Sequence, residues 1–390
     1  MSDIYCPVKV YRRSNGSIGI RNHLAVISTV ACANVVAEKI SQEVEKSVAC
    51  THPYGCDQLG ADAQLTFRTL SNIGKHPNVG AVLVVGLGCE EIKAQELAME
   101  IEKSGKPIEA VVIQDSGGSL QSIKKGVSMC RILLDEINKC HLTHADRNEL
   151  VIGIECGGSD YTSGIASNPA VGVATDMLTN IGAKVIFGET TELLGAEHIL
   201  ISRSSNPAVK KFILDRINLV EHEAMKMKVD IRGAQPSPGN IDGGISSIEE
   251  KSLGAICKTG NSMINGAVDY GIMPTVPGLT FMDTPGNDLI CTCGLVAGGA
   301  HLILFTTGRG TPMGFPIAPV VKITANKGTA EKMSNNIDID ISSILDGVMS
   351  IEQAGQMVYQ SIFDTANGQL VKAELLGHRE FGIHRIGPTL

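Results

Sequence analysis

The chain has 390 residues, of which 43% are hydrophobic, and this is enough apolar material for two or three packed domains. Its net charge is −8 and it has no block of basic residues, which argues against a nucleic-acid partner. No signal region and no apolar stretch of membrane-spanning length stand out. We therefore expect no membrane partner, and a cytoplasmic protein with reduced thiols.

One pattern recurs along the chain: an apolar run rich in valine, isoleucine and leucine that breaks into a short, polar, glycine-containing corner. Continuous apolar runs of this kind are typical of parallel strands that are covered on both faces. The copies lie at residues 23–32, 48–56, 81–91, 109–119, 151–160, 183–192, 279–286 and 301–311.

Segments with helical periodicity separate these runs, and one of them begins with the helix-favouring pair Asn168-Pro169. This alternation of strand and helix predicts an α/β protein with two Rossmann-like, three-layer domains and mostly parallel sheets. In such sheets, ligands bind beyond the carboxyl ends of the strands, which is where the polar corners lie.

A polar stretch at residues 141–150 separates the fourth and fifth strands. It predicts an N-terminal α/β domain of residues 1–145 and a C-terminal α/β domain of residues 146–390. Residues 232–255 are irregular, polar and rich in glycine and proline. This stretch is too long for a simple connection, and we expect it to form an extended functional loop of the second domain.

Three corners carry a cysteine beside a glycine: Cys56, Cys89 and Cys156. A thiol at a strand end is accessible, and nearby main-chain amides lower its pKa. Thiolates on three strand ends would suit iron or an iron–sulfur cluster. Their long spacing is not a metal-binding motif in itself, and burial as a small hydrophobic side chain is the alternative for each.

Four other residues, three of them in these corners, have two interpretations each. Arg309, between two glycines, would capture a carboxylate or lie in a plain turn. Lys251, beside a glycine-rich segment, would abstract a proton next to a carboxylate or end a helix in solvent. His52 would act in acid–base chemistry or stand in a solvated turn. Asp160 would take part in the chemistry or cap a helix.

Several motifs, in this order and over most of the chain, resemble the altronate/galactarate dehydratase family. The motifs are NGSIGIRNHLAVISTVAC, HPNVGAVLVVGLGCE, IECGGSDYTSGIASNPAVG, GETTELLGAEHIL, PSPGN, EEKSLGAICKTG, FMDTPG and FTTGRGTPMGFPIAPVVKI.

The resemblance also has implications for assembly. Full-length sugar-acid dehydratases of this family carry a small β-rich SAF-type domain at the N-terminus. Here the first family motif begins at residue 11. The resemblance therefore implies a large subunit without this domain, working in an oligomer with a separate small SAF-domain subunit.

Chemically, the resemblance implies an iron-dependent lyase. It would remove the proton next to the carboxylate of a sugar acid such as altronate or galactarate and expel the β-hydroxyl group. We expect the iron, as Fe²⁺ or a [4Fe–4S] cluster, at Cys56, Cys89 and Cys156. The residues expected to act in catalysis are Lys251, His52, Glu192 and His198. Those expected to bind the small acidic substrate are Arg309, Ser159, Asp160, Asn168 and Thr307.

Two alternatives remain open at this point. The family includes the large subunit of (2R)-sulfolactate sulfo-lyase, which releases sulfite and pyruvate by the same proton abstraction. Where the dehydratases read Thr-Gly-Gln after DTPG, this chain has Cys293 and Leu295, which indicates a changed substrate pocket. The second alternative is a metal-binding subunit without catalytic activity.

Overall fold

The computed structural model describes residues 7–387, apart from the side chains of residues 233 and 234. The strands are β1 (Val8–Arg12), β2 (Ile18–Gly19), β3 (His23–Ser28), β4 (Ser47–Cys50), β5 (Val79–Gly86), β6 (Ile108–Val112), β7 (Leu142–Ala145), β8 (Val151–Cys156), β9 (Lys184–Phe187), β10 (Ile264–Val268), β11 (Gly278–Met282), β12 (Leu302–Thr306), β13 (Val320–Thr324) and β14 (Ile339–Asp340). The helices are α1 (Asn34–Glu43), α2 (Gly60–Lys75), α3 (Ala94–Glu102), α4 (Ser119–Asn138), α5 (Asn168–Asn180), α6 (Glu197–Ser202), α7 (Pro207–Lys226), α8 (Ile231–Ala234), α9 (Pro238–Asp242), α10 (Ile248–Ile256), α11 (Asp288–Ala297), α12 (Lys327–Lys332), α13 (Ile351–Ala366) and α14 (Lys372–Leu376).

The N-terminal part of the chain is built on a four-stranded parallel sheet in the order β4-β3-β5-β6. Strand β5 is buried along its whole length, as its unbroken apolar sequence predicts. Successive side chains of these strands point to opposite faces. Leu24 and Leu83 pack with helices α1 and α4, whereas Ala25 and Val82 pack with α2 and α3.

The C-terminal part is built on a seven-stranded parallel sheet in the order β10-β11-β9-β8-β12-β13-β14. Helices α5, α7 and α13 cover one face, and α11 covers the other. One apolar cluster joins residues of both parallel sheets with α2, α3 and α11, so these helices form a layer between the sheets. The predicted α/β class with parallel sheets is confirmed.

A small antiparallel sheet, ordered β2-β1-β7, was not predicted. In it, Val8 pairs with Ala145 and Tyr11 pairs with Leu142. The stretch 141–150, interpreted from the sequence as a polar separator, therefore contains a strand that returns to the start of the chain. Its first three residues are exposed, and no buried-strand pattern marks them.

Each parallel sheet has a point where the chain reverses the direction in which strands are added. In the seven-stranded sheet this point lies between the paired strands β8 and β12, and in the four-stranded sheet between β3 and β5. A ligand cleft is expected beyond the carboxyl ends of the strands at such points. Within residues 7–387, no helix combines the length and apolarity needed to cross a bilayer.

Candidate active site

A cavity of about 440 Å³ lies at the switch point of the seven-stranded sheet. Strand β8 ends here with Cys156, and the next two residues, Gly157 and Gly158, line the cavity. Arg309 reaches the cavity from the loop after β12. The carboxyl ends of neighbouring strands thus supply the cleft, as the fold predicts.

A thiol and two carboxylates meet beside this cavity. The sulfur of Cys156 lies 3.4 Å from a carboxylate oxygen of Glu192 and 3.6 Å from one of Glu189. All three side chains are buried, and one ligand atom from each lies within 4.8 Å of the other two. Within the part of the chain that the structure describes, this is the one group of three or more Cys, His, Asp or Glu residues whose ligand atoms are close enough to share a metal ion.

The backbone at Glu189 explains how its carboxylate reaches β8. Its φ of 67° lies in the left-handed region, which residues other than glycine seldom adopt. Thr284 fixes this corner, because the N–H of Glu189 donates to its hydroxyl at 2.7 Å and the N–H of Thr190 donates to its carbonyl at 2.8 Å. Strained backbone of this kind concentrates at functional sites.

Two lysines neutralise the cluster. Lys258 is buried, and its Nζ lies 3.0 Å from Cys156 Sγ and 2.6 Å from Glu189 Oε2. Lys251 Nζ lies 3.0 Å from Glu192 Oε1 at the cavity wall. Burial by itself lowers the pKa of each lysine, but the neighbouring acidic groups outweigh it, so both pKa values are raised and both side chains are cations.

Burial also moves the pKa of the acidic groups. It raises the pKa of the Cys156 thiol well above its usual value and that of Glu189 to about 7. Asp288, the first residue of α11, also lines the cavity, and burial followed by the charge of Glu192 raises its pKa to about 6. A Cβ at Gly157 would come within 2.4 Å of the Asp288 carboxylate, so a larger residue there would displace this acid from its present position.

The segment predicted to be a functional loop lies over the cavity. It folds into α8, α9 and most of α10, and Gln235, Ser237 and Gly239 line the cavity. Arg309 donates a hydrogen bond to the carbonyl of Gly239 at 2.9 Å. This contact ties the loop to the far wall of the site.

The five residues expected to bind substrate divide into two groups. Ser159 and Arg309 line the cavity. The other three hold backbone in place: Asp160 accepts hydrogen bonds from the helical turn that follows it, so it is a cap. Asn168 links β12 to α10, and Thr307 accepts a hydrogen bond inside the turn after β12.

Of the four residues expected to act in catalysis, Lys251 and Glu192 belong to the site. His52 is buried in the N-terminal part, where Nε2 donates to the Ser28 carbonyl at 3.0 Å and Nδ1 accepts a backbone N–H at 3.2 Å. Both of its ring nitrogens are therefore used by the backbone. His198 is exposed on α6. The structure gives neither histidine a place in this cluster.

The three cysteines expected to hold iron do not form one centre within residues 7–387. Cys156 belongs to the buried cluster, whereas Cys56 and Cys89 are exposed at the edge of the four-stranded sheet. Cys156 ends β8 and the other two cysteines follow strand ends, but those ends belong to two different sheets. Three residues at the site were not among those expected from the sequence: Glu189, Lys258 and Asp288. Asp288 follows Asn287, a helix N-cap, and this signal of a helix start beside a predicted strand end marked its place.

The donor atoms of the cluster fit a single divalent metal. One thiolate with two carboxylates combines soft and hard donors, which Fe²⁺ and neighbouring transition metals accept. The ammonium of Lys258, bonded to both Cys156 and Glu189, also indicates that these groups need a cation. An iron–sulfur cluster requires several thiolates, and the described group contains one.

The fold and this cleft define an α/β enzyme whose buried thiol–carboxylate cluster opens into a substrate-sized cavity. Residues 10–138 match the family model for D-galactarate dehydratase/altronate hydrolase, second domain, and residues 147–389 match that for D-galactarate/altronate dehydratase, C-terminal. The chain belongs to the galactarate/altronate dehydratase family, as the motifs indicated, and it is a lyase.

Individual relatives support the same conclusion. The chain is 38% identical to (2R)-sulfolactate sulfo-lyase subunit beta of Chromohalobacter salexigens over 96% of each chain. It is 35% identical to altronate dehydratase of Bacillus subtilis, covering 98% of this chain and 78% of that protein. It is also 35% identical to galactarate dehydratase (L-threo-forming) of Escherichia coli, covering 92% of this chain and 72% of that protein.

Proposed function

We propose that this protein catalyses β-elimination on a small 2-hydroxy carboxylate that carries a second anionic group. A proton leaves the carbon next to the carboxylate, the β-substituent departs, and a 2-oxo acid forms. The observation that carries the proposal is one cavity in which a thiol–dicarboxylate cluster, two cationic side chains and an acid with a raised pKa meet.

Cys156, Glu189 and Glu192 would hold the metal, and we propose Fe²⁺. When bound, it supplies a Lewis acid that stabilises the negative charge developing on the substrate as the proton leaves. The raised pKa of the Cys156 thiol means that a metal must offset the cost of a buried thiolate.

Asp288 is the proposed general base. A base works best when its pKa lies near the operating pH, and the pKa of about 6 leaves Asp288 ionised at neutral pH but still basic. Lys251 remains a cation because of Glu192, so it serves to hold the substrate carboxylate or to donate a proton to the leaving group rather than to accept one.

Arg309 lies in the same cavity, and its guanidinium suits a second carboxylate or a sulfonate. Two cationic groups in one cavity favour a dianionic substrate. Among sugar acids this describes galactarate better than altronate, and the leaving group is then hydroxide.

(2R)-sulfolactate is the second candidate substrate, with sulfite as the leaving group and pyruvate as the product. It also carries two anionic groups. The specific observation that favours it is the similarity to a sulfo-lyase subunit beta over 96% of both chains. That relative is named as a subunit, and we propose that this chain likewise works with a separate small subunit, of the SAF-domain type.

The test is a panel of acids offered anaerobically to the purified chain with added Fe²⁺, alone and with a co-expressed small subunit. Formation of 2-keto-3-deoxy acid from galactarate or altronate identifies a dehydratase, and equal amounts of sulfite and pyruvate from sulfolactate identify a sulfo-lyase. If no acid yields a 2-oxo product under any of these conditions, the proposal is rejected.

A further inference from the structure

Three cysteines outside the active site share one edge of the four-stranded sheet. Among the cysteines that the structure describes, those with exposed side chains are Cys32, Cys56 and Cys89. They follow β3, β4 and β5, respectively, and these strands are neighbours in the order β4-β3-β5. Free cysteines are among the most buried residue types, so three exposed thiols on one edge call for an explanation.

The loops that carry Cys32 and Cys56 are in direct contact. The N–H of Ala31 donates to the carbonyl of Tyr54 at 2.9 Å. A Cβ at Gly55 would lie 2.1 Å from a carbonyl oxygen of the loop after β3, and its φ of 101° also requires glycine. The glycine beside Cys56 therefore lets the two loops pack backbone against backbone.

The loops that carry Cys56 and Cys89 are also joined. The N–H of Glu91, two residues after Cys89, donates to the carbonyl of Gly55 at 3.3 Å. The charge of Asp57 chiefly, with a further contribution from the Cys89 thiol, raises the pKa of Cys56. The thiols of Cys56 and Cys89 are thus close enough to affect each other.

Buried Glu90 holds the Cys89 loop against the loop after β3. Its carboxylate accepts hydrogen bonds from the Thr29 hydroxyl, at 3.0 Å, and from the N–H of Gly88. These contacts span the switch point between β3 and β5, where an open α/β sheet binds its ligand. Three residues of the corner that follows β5 therefore have different roles. Gly88 allows the turn, Cys89 presents an exposed thiol, and Glu90 anchors the loop.

We propose that Cys32, Cys56 and Cys89 bind a [4Fe–4S] cluster whose fourth iron takes a ligand other than cysteine. Three sulfurs around one tetrahedral ion, with bonds of about 2.3 Å, lie about 3.8 Å apart. Within the described residues, however, these three sulfurs do not form a group within 4.8 Å. A four-iron cluster accommodates a wider separation, because each thiolate binds a different iron. This inference does not rest on the proposed function.

The test measures iron and acid-labile sulfide on the full chain after anaerobic reconstitution with ferrous iron and sulfide. We expect about four of each per chain in addition to any active-site metal, and an electron paramagnetic resonance signal after reduction. The bound sulfide should fall by more than about tenfold, relative to the wild type, in each of three variants: Cys32→Ser, Cys56→Ser and Cys89→Ser. Cys140→Ser is the matched control, because this half-buried thiol lies elsewhere and should leave the sulfide content unchanged.

The Cys156→Ser variant separates this site from the active site. It should keep the sulfide while losing turnover. A wild-type chain that takes up iron without sulfide, or a single zinc ion, would overturn the proposal, and so would unchanged sulfide in the three exposed-thiol variants. Because these side chains are exposed, the cluster-free serine variants should unfold at the same urea concentration as the cluster-free wild type, which shows that any loss of sulfide is local.

Discussion

Lys258 and Cys156 come from segments 102 residues apart and meet inside the protein, with the ammonium nitrogen 3.0 Å from the sulfur. The same ammonium lies 2.6 Å from Glu189, and all three side chains are buried. The ammonium of Lys258 is therefore the buried cation that compensates these acidic groups, and its removal would leave a buried carboxylate without its cationic partner. Breaking a buried pair of this kind typically costs about 3–5 kcal/mol.

The first prediction concerns that lysine. Lys258→Met keeps most of the side-chain volume but removes the charge, so the free energy of unfolding should fall by about 3–5 kcal/mol at neutral pH. Urea unfolding of the metal-free protein measures this. Lys210→Met, which removes an exposed lysine on α7, should change stability by less than about 0.5 kcal/mol. Equal urea midpoints for the two variants would show that the buried contacts of Lys258 do not stabilise the fold.

The second prediction concerns the metal donors. Cys156→Ser should weaken Co²⁺ binding by more than about tenfold and abolish the thiolate-to-cobalt absorption band. The titration is made in a chain in which Cys32, Cys56 and Cys89 are already serine, so that exposed thiols do not contribute. In the same chain, Cys140→Ser should leave both affinity and band unchanged. A persistent band in the Cys156 variant would show that the thiolate ligand lies elsewhere.

Much of the fold could be predicted from the sequence because its central strands are largely continuous apolar runs, as β5 and β12 illustrate. Strand β13 was missed because Lys322 interrupts its pattern. In the structure Lys322 is fully buried, and its ammonium donates to the carbonyl of Met313 at 3.0 Å. A lysine that finds a carbonyl partner inside the protein cannot be told from a solvated one by periodicity alone.

The site could be predicted in part, for a different reason. Corners at strand ends pointed to Cys156 and Glu192, because a parallel sheet gathers these ends at one edge. Lys251 was found through the glycine-rich segment beside it, although it lies on α10. Which sheet each corner joins depends on how α2, α3 and α11 pack between the two sheets, and hydrophobic patterning does not carry that information. Cys56 therefore looked equivalent to Cys156 although it lies on another sheet.

The third prediction tests the general base. The pKa of Asp288 is raised to about 6 and a base must be ionised, so kcat/KM should fall as the pH is lowered through about 6. Asp288→Asn should reduce kcat by about 10²- to 10⁴-fold. The residual kcat/KM should no longer fall at low pH, so the acidic limb of the pH profile should disappear. Asp215→Asn, at an exposed position on α7, should preserve both rate and limb. An intact limb in the Asp288 variant would assign the proton transfer to another group.

The fourth prediction tests substrate charge. Arg309→Gln should raise KM for dianionic acids, because a hydrogen bond between charged groups contributes about 1.5–3 kcal/mol, or roughly 10- to 100-fold. Galactarate and sulfolactate should both be affected, whereas altronate, with one carboxylate, should lose less. The exposed Arg12→Gln variant serves as the control. Equal losses for mono- and dianionic substrates would place the second anion elsewhere.

The fifth prediction concerns acid stability. Burial lowers the pKa of His52 and of His301 to about 4, and Nδ1 of His301 accepts the N–H of Val151 at 3.0 Å, which requires the neutral ring. In the unfolded chain these rings titrate near about 6.5. Between these values the unfolded state binds more protons. The stability that the neutral rings provide is therefore complete above about pH 6.5 and is lost as the pH falls towards 4, by about 1.4 kcal/mol per pH unit for each ring.

Urea midpoints measured from pH 7.5 down to 4.5 follow this loss. His301→Asn keeps an acceptor near the position of Nδ1 but cannot be protonated in this range, so its midpoint should fall less steeply with pH than that of the wild type. His141→Asn, at an exposed position, should follow the wild-type curve. If the His301 variant showed the wild-type slope, the acid sensitivity would have to come from groups other than this buried ring.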